Sequence, residues 1–457
     1  MKIERFEIAG LAQYSYIVSD AGEAVVIDPI RDIDRYTDYL AAHSLRLTSI
    51  LETHIHADFA TGSVELAAAT GAKLALSAYD AGERFVYAMP HRQLFDGDSI
   101  PVAQARLVAR HTPGHTPEHL SFLLYEDDAA TQPSAIFSGD FLFAGSLGRP
   151  DLLGEEAKLG LARELYRSAT ERIADLPDTL AIYPGHGAGS LCGSGMSERA
   201  ETTLGFEREH DPYLRYPRQE FLEKILASVP EMPAYYPRMK QLNADGAPVI
   251  GDRLTPQWLS PSEVASIKDD DATVLIDLRG TAAFAAGHIA GSINIGRGPS
   301  LSLWAGWLLD AAKKIVLIVE RRGDEVEESL RGLLRVGLDD ILGVATIAEW
   351  RDAGYALTAM KLRNAADVQR ELPSLYLLDV RNQGERSSGI IAGAHPTVLG
   401  DLTQHLDEIP REAKIVTICA SGYRASIAAS LLAAAGYADV SMLDGGMSAW
   451  QDLHAAQ

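Results

Sequence analysis

The chain has 457 residues, with 41 Lys+Arg against 63 Asp+Glu and only two cysteines. At roughly 150 residues per domain the length suggests about three domains, each able to bury a core. The formal charge of −22 excludes the basic face that a nucleic-acid partner needs, though a local basic pocket for a small anion remains compatible with it. Cys192 and Cys419 cannot build a disulfide framework. The start MKIERFEIAGLAQ mixes both charge signs without an apolar run, so no signal peptide is expected. The uncharged stretch from Ala425 to Ala438 is too short to span a bilayer. A cytoplasmic protein with no membrane partner is the expectation.

In chain order, strand-like runs occur at 24–29 (AVVIDP), 47–54 (LTSILETH), 134–140 (SAIFSGD) and 179–186 (TLAIYPGH), alternating with helical stretches. Short strands feeding loops indicate an α/β fold. Nine of the 13 histidines fall within residues 1–210. His54-Ile-His56-Ala-Asp58 follows one strand end, and His111-Thr-Pro-Gly-His115-Thr-Pro-Glu-His119 comes later. Ser138-Gly139-Asp140 and Pro184-Gly185-His186 close two further strands. Strand ends are where α/β sheets present binding groups, and two imidazoles with a carboxylate in one loop suit a first-row divalent metal. A lone histidine is usually structural; four such loops in succession converge on one pocket. A Gly-rich loop carrying Cys192 follows His186 directly; the resemblance drawn below implies that this thiol contacts substrate or carries sulfur, the alternative being a small packing residue.

Residues 230–253 carry three Pro before Asn243 and then Asp-Gly, which suits a linker, placed at 236–253. Beyond it the chain repeats itself. VLIDLRGTAAFAAGHIAGSINI (274–295) matches YLLDVRNQGERSSGIIAGAHPT (376–397), residues 313–341 match 413–440, and each copy closes on a tryptophan, Trp350 and Trp450. Each unit reads as a parallel α/β sheet with crossover helices. In the second copy an apolar strand, Ile415 to Ile418, leads into Cys419-Ala420-Ser421-Gly422-Tyr423-Arg424 and then an Ala-rich helix. A thiol at a strand end facing a helix N-terminus has backbone N–H donors and a positive dipole to stabilise anionic sulfur. Arg424 adds a cation suited to sulfite or thiosulfate. The aligned place in the first copy is Val319, which carries no thiol.

Taken together, HxHxD, HTPGHT, SGD and YPGH resemble the metallo-β-lactamase superfamily in its glyoxalase II-like branch, whose fold is an αββα sandwich. CxxGxR with LLDVR (377–381) and LDGGMSAW (443–450) resembles the rhodanese sulfurtransferases. In this order they resemble the persulfide dioxygenase–rhodanese fusion family. The resemblance implies a dioxygenase domain over 1–235, the linker, an inactive rhodanese-like domain over 254–360 and an active one over 361–457. It implies one Fe(II) per chain on His54, His115 and Asp140, with His56, Asp58 and His186 orienting the ligands, and Cys419 with Arg424 as sulfurtransferase residues. Phe59 stands where the hydrolases carry a further metal-binding histidine, which favours one iron over a two-zinc site. The implied partners are a low-molecular-weight persulfide of the glutathione, coenzyme A or bacillithiol type, O2 and sulfite; a homo-oligomer is expected. A glyoxalase II-like zinc thioesterase with appended sulfur-carrier domains is the alternative, and a non-catalytic persulfide carrier is a third reading.

Overall fold

The computed structural model describes residues 1–199 and 201–455. They divide into one unit of Met1–Gly251 with Leu334–Gly337 and a second of Asp252–Leu333 with Leu338–Gln457.

The first unit stacks two six-stranded sheets. One runs β1 (Lys2–Ile8), β2 (Gln13–Asp20), β3 (Glu23–Ile27), β4 (Arg46–Leu51), β5 (Lys73–Ser77) and β6 (Arg92–Leu94), in that spatial order. The first three strands pair antiparallel as hairpins, and β3 to β6 pair parallel. The other sheet comprises β7 (Ser99–Val102), β8 (Ala105–His111), β9 (Leu120–Tyr125) and β10 (Ala135–Gly139). A small hairpin, β11 (Leu142–Phe143) with β12 (Ser146–Leu147), precedes its last strands, β13 (Ala181–Pro184) and β14 (Thr202–Thr203). The spatial order is β14-β13-β10-β9-β8-β7.

Alternation of apolar residues puts Val18, Val25, Ile27 and Leu51 of the first sheet against Leu107, Phe122, Leu124 and Phe137 of the second, forming the inner core. Helices α1 (Asp34–Ala42) and α2 (Ser63–Thr70) belong to the first sheet: Tyr36 bonds to Ser15 of β2, and α2 packs on β4 and β5. On the far side, α3 (Glu155–Arg167) and α5 (Arg218–Ala227) bury Leu165, Phe221 and Ile225 against Ile136 and Ile182, with α4 (Leu204–His210) between them in sequence. This is the expected αββα sandwich.

The stretch expected as a linker departs from that reading. Residues 236–245 form a helix, α6 (Tyr236–Asp245), with Pro237 in its first turn, where a missing N–H costs nothing. Tyr236, Met239, Lys240, Asn243 and Ala244 are buried, so the helix is an integral part of the first unit.

The second unit contains the two repeats. The first has α7 (Pro261–Ile267), β15 (Thr273–Asp277), α8 (Thr281–Ala286), β16 (Ile293–Asn294), α9 (Leu301–Leu308), β17 (Lys314–Val319), α10 (Glu327–Arg335), β18 (Ile341–Thr346) and α11 (Ile347–Asp352). Ser260 and Glu263 cap α7 reciprocally, with Pro261 at its first position. The second repeat has β19 (Lys361–Arg363), α12 (Ala365–Glu371), β20 (Tyr376–Asp379), α13 (Gln383–Arg386), β21 (His395–Pro396), β22 (Ile415–Ile418), α14 (Tyr423–Ala434), β23 (Val440–Leu443) and α15 (Gly446–Ala455).

Both sheets are wholly parallel, ordered β16-β15-β17-β18 and β19-β23-β22-β20-β21. The duplication extends to hydrogen bonds. Arg279 grips Asp277 and donates to Gly287 O at 2.7 Å; Arg381 grips Asp379 and donates to Gly389 O at 2.8 Å. No helix among the described residues is long and apolar enough to cross a membrane.

Candidate metal centre and sulfur loop

Four loops at strand ends of the first unit meet. Asp140 follows β10 and His186 follows β13, and these strands are parallel neighbours with Gly139 opposite Pro184. Backbone crowding explains the glycines: Gly139 adopts φ +50°, and a Cβ there would lie 2.6 Å from Thr53 and 2.7 Å from His119. A Cβ on Gly185 would come within 2.6 Å of Asp140 Oδ1. Leu120 N donates to Thr53 O at 2.7 Å, tying the loop after β4 to the one after β8.

His54, His115 and Asp140 converge. Asp140 Oδ2 lies 3.5 Å from His115 Nε2 and 3.9 Å from His54 Nε2. All three atoms are buried and, among the described residues, have no hydrogen-bond partner. Leaving three buried polar atoms unpaired and aimed at one point is costly unless an ion accepts them. The remaining ring nitrogens are held: His115 Nδ1 contacts Arg149 O at 2.9 Å, and His54 Nδ1 contacts Thr53 Oγ1 at 3.0 Å. That leaves both Nε2 atoms free to ligate. Burial, reinforced by neighbouring histidines, holds both imidazoles well below the usual histidine range, hence neutral. Two neutral imidazoles and a carboxylate form a donor set that fits a divalent metal.

The three expected orienting residues surround this trio. His186 Nδ1 bonds to Asp140 Oδ1 at 2.7 Å and its Nε2 to Asp58 Oδ2 at 2.8 Å. Burial pushes His186 down, but the two carboxylates outweigh it and hold the ring well above the usual histidine range. His56 is turned the other way, with Nε2 3.1 Å from Asp28 Oδ1. Its ring lies against that of Phe59, centroids 4.3 Å apart, and Phe59 is fully buried. Asp58, His186 and Cys192 also cluster within 4.8 Å, but both His186 nitrogens are already bonded to carboxylates. Burial, with Asp58 and Asp140 adding to it, pushes the Cys192 thiol well above its ordinary range.

Several contributors were not singled out from sequence. Asp28, at the end of β3, adopts φ +52°, an uncommon conformation for a non-glycine residue. From there its carboxylate accepts Thr53 N at 2.7 Å and Thr53 Oγ1 at 2.9 Å as well as meeting His56. From α6 and the residue before it, Tyr235 Oη donates to Asp58 O at 3.0 Å and Lys240 Nζ to Ile55 O at 2.6 Å. Asn243 Nδ2 donates to His56 O at 2.9 Å and Phe59 O at 2.7 Å, and its Oδ1 accepts Thr61 N at 2.9 Å. The only sequence signal was the strand-end Asp-Pro after AVVI; the polar residues of α6 carried none.

In the second unit, Cys419 ends β22, is buried, and its Sγ accepts Gly422 N–H at 3.0 Å. Gly422, at φ +114°, caps α14. Ala420 and Ser421 complete the loop, and Tyr423 and Arg424 open the helix. Arg424 is paired within its own domain: both terminal nitrogens bond the two Glu385 oxygens, at 2.6 and 2.5 Å. The guanidinium holds the Glu385 carboxyl below the usual carboxylate range. In the first copy Val319 is buried at the end of β17, and Asp324 stands where Arg424 would. Its Oδ2 accepts the amides of Glu320 at 3.1 Å and Arg321 at 3.2 Å.

The metallo-beta-lactamase superfamily profile matches residues 8–186, and the rhodanese-like domain profile matches 260–345 and 358–453. The chain belongs to the metallo-β-lactamase superfamily, with two rhodanese-like domains following that fold. A crystal structure of a metallo-beta-lactamase from Staphylococcus aureus subsp. aureus COL is 33% identical with a TM-score of 0.67, covering 76% of this chain and 99% of that one. Persulfide dioxygenase ETHE1, mitochondrial, from Bos taurus is 33% identical over 214 residues, 46% of this chain and 74% of that protein. A hydroxyacylglutathione hydrolase from Polaromonas sp. (strain JS666 / ATCC BAA-500) is 29% identical over 245 residues, 48% of this chain and 88% of that protein. Similarity to a persulfide dioxygenase, together with the two rhodanese-like domains, indicates an enzyme.

Proposed function

We propose that the protein is a cytoplasmic non-haem Fe(II) persulfide dioxygenase coupled to a thiosulfate-forming sulfurtransferase, serving sulfide detoxification. The observation that carries the first half is the trio of orphaned atoms on His54, His115 and Asp140 beside a Phe59 that cannot ligate a second metal. Iron held by those three residues would supply the redox chemistry by which O2 oxidises a thiol persulfide. The balance is one persulfide RSSH, one O2 and one water giving the thiol RSH and sulfurous acid, ionised as sulfite. The sulfane sulfur loses four electrons and O2 gains four.

The chain's own groups shape that chemistry. His186, charged between Asp58 and Asp140, fixes the ligand carboxylate through its Oδ1 and leaves Oδ2 turned to the imidazoles. Asp28 fixes the ring of His56. Cys192, kept protonated by burial among carboxylates, suits a contact to the persulfide better than a relay of sulfur.

In the second unit the Cys419 thiolate attacks the outer sulfur of a second persulfide, releasing RSH and forming Cys419–SSH. Sulfite then takes that sulfur, giving thiosulfate and restoring the thiol. The Gly422 amide and the N-terminus of α14 stabilise the anionic sulfur. The thioesterase reading draws on the hydroxyacylglutathione hydrolase relative, but Phe59 in place of a ligand opposes it.

A Cys419→Ser chain tests the division of labour. It abolishes thiosulfate formation from glutathione persulfide and sulfite while leaving O2 uptake intact; loss of both together contradicts the proposal.

A further inference from the structure

Helix α14 starts at the end of the Cys419 loop, so whatever holds its first turns also holds the amide that faces the sulfur. Three of its side chains, Tyr423, Ser426 and Ser430, are spaced three and four residues apart and share one face. All three bond to the first rhodanese-like copy, and to two neighbouring points of it. Tyr423 Oη donates to Gly296 O at 2.8 Å, Ser426 Oγ donates to Asn294 Oδ1, and Ser430 Oγ accepts Asn294 N at 3.0 Å.

Asn294 is itself fixed. Its Nδ2 donates to Asp277 O at 2.9 Å and Arg279 O at 2.8 Å, so its amide plane is set by the ends of β15. Ser426, Ser430 and Asn294 are buried, and together they form a connected network in which each polar group has a partner. Gly296 lies close to both: a Cβ there would crowd Arg279 O at 3.2 Å and stand in ordinary contact with Tyr423 Cε2 at 3.4 Å. The ring also borders a cavity of about 560 Å³ lined by Arg279, Thr281, Arg297 and Glu320. A directed hydrogen bond therefore fixes the Tyr423 hydroxyl on the side where the ring borders that cavity.

We infer that the copy without a cysteine positions the Cys419 loop: Asn294 and Gly296 hold α14 in register through Tyr423, Ser426 and Ser430, keeping the helix N-terminus and the Gly422 amide aimed at Cys419. These are positioning residues, since none of the hydrogen bonds described for them reaches Cys419 Sγ. The inference rests on the sulfurtransferase reading of Cys419.

The test uses full-length chains bearing Tyr423→Phe, which removes one hydroxyl, and Asn294→Ala, which removes the acceptor for Ser426 and the two side-chain bonds to residues 277 and 279 while leaving the backbone bond to Ser430. Three quantities are read: the rate of Cys419 alkylation by iodoacetamide at pH 7, followed by peptide mass spectrometry; kcat and KM for sulfur transfer from glutathione persulfide to sulfite; and the thermal midpoint. Alkylation rate and kcat fall together, about fivefold for Tyr423→Phe as expected for one directed hydrogen bond and more for Asn294→Ala, with KM and O2 uptake unchanged. Unchanged alkylation and kcat in folded variants overturn the inference. So does a lowered midpoint with Cys419 reactivity intact, because the contacts would then be merely structural. If the unsubstituted chain takes up no sulfane sulfur, the sulfurtransferase reading fails, while the alkylation comparison still decides the positioning.

Discussion

Asn243→Ala probes how the metal loop is held. The side chain satisfies three backbone groups of residues 56–61, at 2.7 to 2.9 Å, from a fully buried position on α6. Removing it leaves two carbonyls and one amide without that partner, each worth about 1–3 kcal/mol when buried. With water recovering part of the loss, a net cost of about 3 kcal/mol is expected, a large share of the 5–15 kcal/mol that holds a typical domain.

The tryptophans give the assay an internal control. All five lie at or beyond position 258, so their fluorescence reports only on the second unit. Hydrogen exchange read by mass spectrometry on peptides covering 53–62 accelerates about a hundredfold, the equivalent of that free energy, and chelators strip metal faster. The exposed neighbour Gln241, whose side chain bonds Asp245 one turn on, changes by less than about 0.5 kcal/mol when replaced by Ala. If Asn243→Ala exchanges like the Gln241→Ala control and retains metal as well, α6 does not brace the loop and the reasoning fails.

Other outcomes follow from the same structure. Val319→Cys alone, in a Cys419→Ser background, does not create a second sulfur acceptor, because the Asp324 carboxylate already occupies the Glu320 and Arg321 amides; adding Asp324→Gly makes persulfide detectable at position 319 by mass spectrometry, and uptake by the single variant would contradict this. Burial raises the Asp211 carboxyl to about 7 from an ordinary 3.8. The folded chain then binds a proton the unfolded chain has released, so stability declines as pH rises from about 4 to about 7 and levels off above. Asp211→Asn, which keeps the acceptor for Tyr213 N, flattens that decline in melting curves across pH 5–8; an identical slope in both chains refutes it.

The parts of the site legible in sequence are those carried by local grammar. The strand-end loops with His54, His115, Asp140 and His186 follow from runs of apolar residues ending in Gly, Pro and polar groups, and the repeat follows from matched LIDLR and LLDVR. Illegible were contacts whose partners lie far apart in the chain. Asn243 and Lys240 sit about 185 positions from the loop they brace, inside a segment whose prolines read as a linker. Proline at a helix start and proline in a linker look alike until the buried face is known. The partner of Arg424 was equally hidden, because Glu385 lies in the other half of the repeat. Asp28 was visible only as Asp-Pro after a strand; nothing local announces that its φ is positive or that it carries His56.

The central claim is tested most directly by metal analysis of the purified full-length protein combined with oxygen-electrode measurement on glutathione persulfide. The account predicts one iron per chain, O2 consumed in equal amount to sulfite formed in the Cys419→Ser chain, and loss of both iron and uptake in His115→Ala. Zinc without iron, no O2 uptake, and hydrolysis of lactoylglutathione would contradict it and install the thioesterase in its place.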